Sequence, residues 1–118
     1  MTNQEAFDKI VARLMDGTGR ALDEGGECMY RAPNGLSCAV GCLIPDEEYY
    51  PRIEGLLADE LINLNCLNKL NLYMLERLQF VHDEELNWTG STLNEEGIRI
   101  LQEIAAYYDL TMPEINNA

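Results

Sequence analysis

The sequence predicts a mainly α protein: a compact single-domain helical fold carrying one small β-hairpin near residues 28–38. Three observations carry that expectation. Apolar side chains recur at helical spacing in several separate stretches. Ala32-Pro33-Asn34-Gly35, lying between two short apolar-polar runs, has the chemistry of a tight turn. The chain has 118 residues, 47 % of them apolar, which suits a single domain with a core of its own.

Taken in order, Thr2 with Glu5 forms a capping-box pattern, and Phe7, Ile10, Val11 and Leu14 share one helical face. Gly17 and Gly19 end this first element, which occupies residues 1–17. Asp23-Glu24-Gly25-Gly26-Glu27 reads as a loop. The hairpin follows, and the wholly apolar Ala39–Ile44 run reads as a buried turn within a 28–49 unit. Pro45-Asp46-Glu47-Glu48 begins a short helical turn with proline at its first position.

Residues 54–109 form the helical part. Leu56, Leu57, Leu61 and Leu64 predict one helix. Leu67, Leu70, Met74, Leu75, Leu78 and His82 predict a second. That second helix also carries Leu72 and Phe80 on its far side, so it is expected to be central and contacted all round. Asn87–Ser91 reads as a loop. Thr92 with Glu95 repeats the capping pattern ahead of a last helix bearing Ile98, Leu101, Ile104, Ala105 and Tyr108. Met112-Pro113 breaks it, and 110–118 is a polar tail. No internal repeat or linker divides residues 1–118.

Acids outnumber bases 21 to 8, giving a net charge of -13. Glu5, Asp8 and Asp16 balance Lys9, Arg13 and Arg20, so the whole net charge lies beyond residue 22. Direct nucleic-acid binding is disfavoured, because it needs clustered Lys and Arg. The same field repels an anionic membrane surface, and no apolar run reaches the roughly 18 residues of a span. The polar N-terminus lacks a secretory pattern, so a cytoplasmic location is expected. Free thiols are then the default for Cys28, Cys38, Cys42 and Cys66.

The densest motif is Cys28-Met29-Tyr30-Arg31, Gly35, then Cys38-Ala39-Val40-Gly41-Cys42-Leu43-Ile44-Pro45-Asp46-Glu47. In these residues the chain resembles a group of small bacteriophage- and prophage-encoded proteins sharing the signature C-x-Y-R-x-x-x-G-x-x-C-A-V-G-x-L-I-P-D-E. Glu54-Gly55, Leu78-Gln79 and His82-Asp83 match further pairs of that group. The resemblance implies a phage-linked accessory protein in an infected or lysogenic bacterial host and transfers no catalytic residue.

Three chemical readings of the motif stand side by side. In the structural one, Gly35 makes a turn, Gly41 permits close packing, the cysteines act as small apolar residues, Tyr30 packs its ring and Arg31 pairs with Asp46 or Glu47. In the metal one, Cys38 and Cys42 face the same way on one helical turn and Cys28 lies across the hairpin from Cys38. Cys66 or His82 completes the set, but paired C-x2–4-C knuckles are missing. In the catalytic one, Cys38 sits at a helix start that lowers its thiol pKa, with His82 as base and Asp83 as its orienting carboxylate. Neighbouring residues on a helix point about 100° apart, which places Asp83 poorly for that task. Tyr30 and Arg31 are the candidate ligand contacts, Arg31 as an anion grip. No calcium-loop, nucleotide-loop, zinc-protease or serine-hydrolase motif occurs, and no cofactor is expected.

Acids cluster as Asp23/Glu24/Glu27, Asp46/Glu47/Glu48, Glu54/Asp59/Glu60, Asp83/Glu84/Glu85 and Glu95/Glu96. Such clusters keep a protein soluble, and they also imitate a duplex that carries one negative charge about every 1.7 Å. The expected function is therefore a non-enzymatic accessory protein, DNA-mimicking and anti-CRISPR-like, that binds and inhibits a basic, nucleic-acid-binding host protein. Asp46, Glu47, Glu48, Asp83, Glu84 and Glu85 are its expected contacts. The alternative is a small-ligand binder or cysteine-dependent enzyme organised around Cys38, His82 and Arg31.

Overall fold

The computed structural model describes residues 1–113, apart from the side chains at 58, 59 and 62. Residues 114–118, where most of the expected polar tail falls, lie outside this description, as does the Asp59 side chain of one acidic cluster. Three α-helices carry the core: α1 (Asn3–Leu14), α2 (Leu72–Asp83) and α3 (Glu95–Tyr107). Short 3-10 turns at Gly41–Leu43, Asp46–Glu48, Pro51–Gly55 and Ala58–Asn63 fill the path from α1 to α2. The radius of gyration of 13.4 Å is that of a compact chain of this length.

α1 forms as expected. Thr2 Oγ1 accepts the Glu5 N–H at 3.1 Å and Glu5 Oε1 accepts the Thr2 N–H at 2.9 Å, so two otherwise orphaned donors are satisfied reciprocally. Phe7, Ile10, Val11 and Leu14 are all buried on its inner face. α2 contributes Met74, Leu75, Leu78 and Val81 to the same core, and α3 contributes Leu101, Ile104 and Ala105.

The mainly α fold with one small β-hairpin is present, but the strand pair lies elsewhere than residues 28–38. β1 (Trp88–Thr89), within the Asn87–Ser91 stretch expected to be a loop, pairs antiparallel with β2 (Thr92–Leu93) just beyond it, turned by Gly90 at φ +62°. At 28–38 the Ala32–Gly35 turn does close, with Gly35 N–H donating to Ala32 O at 3.0 Å. Its flanks, however, make a single bridge, between Arg31 and Ser37. The pairing stops because Cys38 leads straight into a helical turn, its carbonyl accepting the Cys42 N–H at 3.1 Å.

The expected helix around 54–65 is two 3-10 turns separated by extended residues Leu56 and Leu57. The Leu56 carbonyl that an α-helix would use internally accepts the Tyr30 hydroxyl at 2.7 Å instead. α2 starts at Leu72 rather than Leu67, where Asn71 Oδ1 caps the Met74 N–H at 3.2 Å. It is not enclosed on all sides: Tyr73 is 71 % exposed and Phe80 56 %. The cap of α3 is Asn94, whose Oδ1 accepts the Gly97 N–H at 3.0 Å, because Thr92 is taken up in β2.

Gly41 explains how tightly the motif folds on itself. A Cβ at this position would stand 2.1 Å from the Tyr30 carbonyl oxygen, so only glycine admits that approach.

Candidate functional site

The motif residues converge on the C-terminal end of α2. A helix end leaves its last carbonyls without internal partners, and here side chains supply them. Asn87 Nδ2 donates to Val81 O at 3.2 Å. The Trp88 indole N–H and Arg20 Nε both donate to His82 O, at 3.0 and 3.1 Å. A second guanidinium nitrogen of Arg20 donates to Asp83 O at 2.6 Å.

His82 is fully buried and uses both ring nitrogens. Nε2 accepts the backbone N–H of Ala21 at 3.0 Å, which fixes the proton on Nδ1, and Nδ1 lies 2.8 Å from Asp83 Oδ1. The expectation that Asp83 is poorly placed to hold its neighbour's ring is corrected: Asp83 is the last residue of α2, where its carboxylate folds back to meet the imidazole. Gln79 Nε2 donates to the same Asp83 oxygen at 2.8 Å, while Gln79 Oε1 accepts the Val40 N–H at 3.0 Å. Burial alone would raise the Asp83 pKa, yet the hydrogen bonds from His82, Cys28 and Gln79 outweigh it and hold the carboxyl below its ordinary range.

On the other side of the motif, Glu54 spreads over two backbone donors. Oε1 accepts Tyr30 N–H at 2.8 Å and Oε2 accepts Arg31 N–H at 2.9 Å, with the Tyr49 hydroxyl also on Oε2 at 2.6 Å. Between Glu54 and Asp83 lies a cleft of about 220 Å³ onto which Cys28, Cys38, Tyr30 and Gln79 open. The 28–49 motif, the Glu54 pair, the Gln79 pair and the His82-Asp83 pair thus meet around one space.

The chemistry of this cluster is that of a brace. In a catalytic arrangement the imidazole base faces the nucleophile and the carboxylate stands behind it. Here the Cys28 thiol meets the Asp83 carboxylate, and the imidazole stands behind that with its basic nitrogen given to a backbone N–H. Burial, the nearby Asp83 charge and its hydrogen bond push the Cys28 thiol up to about 11 despite Arg20. Burial pushes Cys38 up to about 12, against a lowering hydrogen bond from the Gly41 N–H. The expected depression at a helix start is overridden, since a three-residue 3-10 turn offers little dipole and the thiol is out of water.

Cys28, His82 and Asp83 place possible ligand atoms within 4.8 Å of one another. The donor set does not fit a metal: coordination through Nδ1 would move the ring proton to Nε2, against the Ala21 N–H. The four cysteines are not gathered. Cys38 sits opposite Tyr30 rather than Cys28, its N–H on the Tyr30 carbonyl at 3.3 Å, and Cys28 bridges to Leu22. Cys42 points toward Lys9 and Arg13 of α1 and donates to Ala39 O at 3.0 Å, whereas Cys66 lies beside Glu48. All four thiols are free.

Of the two ligand candidates, Tyr30 lines the cleft but its hydroxyl is spent on Leu56 O. Arg31 is committed elsewhere: to Asp46 at 2.7 Å, to Ile44 O at 2.8 Å and over the Tyr49 ring at 4.4 Å. Of the expected acidic contacts, Glu47 and Glu85 are exposed, Asp46 is paired with Arg31, and Glu48 accepts the Cys66 N–H at 3.3 Å. Glu84 caps the turn after α2 through the Leu86 N–H at 3.2 Å. Arg20 is the organising residue that sequence reasoning passes over. It sits among the balanced N-terminal charges and nothing in its local pattern signals a partner more than sixty residues away.

Compared with protein-family models, curated proteins and solved structures, the chain finds no match. No helix among the described residues is long and apolar enough to cross a membrane.

Proposed function

We propose that this chain is a non-enzymatic interaction protein that binds a basic partner, in the setting its motif resemblance implies a nucleic-acid-binding host protein of an infected bacterium, and blocks it by occupying its anion-binding surface. One observation carries the reading. The Leu22–Cys28 bridge and the Cys28–Asp83 contact pin the 23–27 loop against the end of α2. Cys28, the residue after Glu27 of the Asp23/Glu24/Glu27 run, thereby stands against Asp83, the first acid of the Asp83/Glu84/Glu85 run, so the two acidic runs leave the same contact. Apart from Asp83 with His82, none of these acids makes an ion pair among the described residues, and the nearest base, Arg20, is turned onto helix carbonyls. A concentrated negative end, offset there by the single guanidinium of Arg20, is what a phosphate-binding groove attracts, with fast and salt-sensitive association.

The test is affinity capture from the native host, followed by salt titration and competition with duplex DNA. Binding that weakens steeply with salt and yields to DNA supports the reading. Charge reversal at Glu24, Glu27 and Glu85 abolishes that binding with the fold intact. Binding to the captured protein that is indifferent to salt and to these variants overturns it. Asp83 and Glu48 are unsuitable for the test because both hold the fold together.

A further inference from the structure

We infer that the contact between His82 and Ala21 is an acid-released latch: a proton taken up at Nε2 detaches the acidic 21–28 segment from the end of α2. His82 and Ala21 are both fully buried, so the Ala21 N–H bonds the imidazole Nε2, at 3.0 Å, in place of water. Nδ1 already holds the other ring proton against Asp83. An imidazolium is a donor at both nitrogens, so turning the ring over gives no escape. Protonation therefore sets N–H against N–H at one buried point, where neither has an acceptor, and the backbone has to move off the ring.

The charges around the ring leave the response to this one histidine. Asp83 on α2 stays ionised down to acid pH, because its hydrogen bonds hold the carboxyl below the ordinary range. Arg20, just before Ala21, is charged throughout, and it bonds His82 O and Asp83 O, which take up no proton. The segment stays tethered at that end while Ala21 lets go. Cys28, Cys38 and Tyr30 share a cleft with Asp83, and Glu54 faces Asp83 across it. Both thiols and the phenol keep their protons at neutral and acid pH, since burial pushes all three up. β1 brings only the uncharged Trp88 ring, edge-on at 6.2 Å. His82 is the single histidine of the chain, and histidine is the side chain whose ordinary titration lies between pH 5 and 8. The closed latch binds one proton fewer than the open one, so falling pH favours opening.

Asp23, Glu24 and Glu27 lie on the released segment. The consequence for binding rests on the proposed function: the acidic end is assembled at neutral pH and loosened near pH 5, so partner affinity falls on acidification.

The test is hydrogen exchange on the full chain alone at pH 7.5 and pH 5, with the intrinsic rate of each amide divided out. A solvated histidine takes up its proton near pH 6.5, so a latch that excludes this proton when closed opens about thirtyfold more often at pH 5. Ala21 protection is expected to fall by that factor while the amides of α1 and α3 keep theirs. Nitrogen-15 signals of the imidazole in the same samples are expected to report ring protonation in step with that loss. His82→Gln, verified as folded by circular dichroism, offers an amide that does not titrate and is expected to remove the pH dependence. Equal Ala21 protection at the two pH values overturns the latch, as does an imidazole that protonates with the Ala21 N–H still protected. Uniform loss across Ala21, α1 and α3 overturns it too, by showing global acid unfolding, and so does a folded His82→Gln that keeps the pH dependence. No partner enters these measurements, so their failure leaves the acidic-surface reading to its own salt titration.

Discussion

The Nε2 atom of His82 accepts the backbone N–H of Ala21 at 3.0 Å, joining the end of α2 to a segment sixty-one residues earlier in the chain. With Nδ1 facing the Asp83 carboxylate at 2.8 Å, this bond makes the imidazole a structural pin. Nitrogen-15 spectra of the folded protein at neutral pH are expected to show the proton on Nδ1. His82→Phe keeps a ring of similar shape but leaves the Ala21 N–H buried and Asp83 short of a donor. A loss of about 2–4 kcal/mol in urea-measured stability is expected, since each unmet buried polar group costs roughly 1–3 kcal/mol. A loss under about 0.5 kcal/mol would remove the pin.

Gly41 and Gly35 separate two reasons for glycine. An alanine Cβ at 41 collides with the Tyr30 carbonyl at 2.1 Å, a backbone atom that cannot swing aside. At 35 there is open space, and the requirement is only φ +87°. Gly41→Ala is expected to cost more than about 3 kcal/mol or abolish folding, and Gly35→Ala about 1 kcal/mol, the ordinary left-handed penalty. Thermal melts of the two variants check the ordering, and equal costs would refute it.

The sequence announces what is local. Thr2 and Glu5 signal their own cap, the Pro-Asn-Gly turn signals itself, and the Arg31–Asp46 pair follows from opposite charges on a short motif. What stays hidden is set by distant partners. The leucines at 56, 57, 61 and 64 have helical spacing, but the Tyr30 hydroxyl claims the Leu56 carbonyl and the helix gives way to 3-10 turns. Phe80, on the far side of α2 from its buried face, is apolar like a covered residue, yet among the described residues no element covers it. The His82–Asp83 contact defeats the usual helical angle only because Asp83 is the terminal residue. Glu54, Gln79 and Arg20 make their decisive bonds to backbone groups, which leave no mark in a side-chain pattern.

Alkaline pH is expected to destabilise the protein. Burial raises Cys28, Cys42 and Cys66 from 9.0 to about 11 and Cys38 to about 12. Burial raises the Tyr49 hydroxyl from 10.0 to about 12, helped by its bond to Glu54, and raises Tyr30 further. Each group holds its proton more tightly folded than unfolded. Its stabilising effect is complete below the unfolded value and is lost as pH climbs toward the folded one. For Cys38, buried almost completely, the loss between pH 9 and 12 runs at about 1.4 kcal/mol per pH unit. Urea titrations at pH 7.5, 9 and 10 should show falling stability, with a shallower fall in Cys38→Ala. Flat stability across that range would show that the thiols are not buried in this way.

Arg20 is the residue on which the acidic end depends. Its guanidinium donates to His82 O and Asp83 O and reaches Cys28 Sγ at 3.5 Å, spanning helix end and loop with a planar fork. A cation at a helix C-terminus also opposes the partial negative charge there. Arg20→Met keeps much of the apolar stem and removes the fork, at an expected cost of about 1.5–3 kcal/mol. Arg20→Lys restores the charge but not two simultaneous carbonyl bonds, so it recovers less than half of that loss. Hydrogen exchange is expected to accelerate at residues 21–29 and 80–84 in both variants while the α1 amides stay protected. Uniform acceleration across the chain would instead make Arg20 a global stability residue, and full rescue by lysine would show that charge alone, not the fork, holds the loop to the helix.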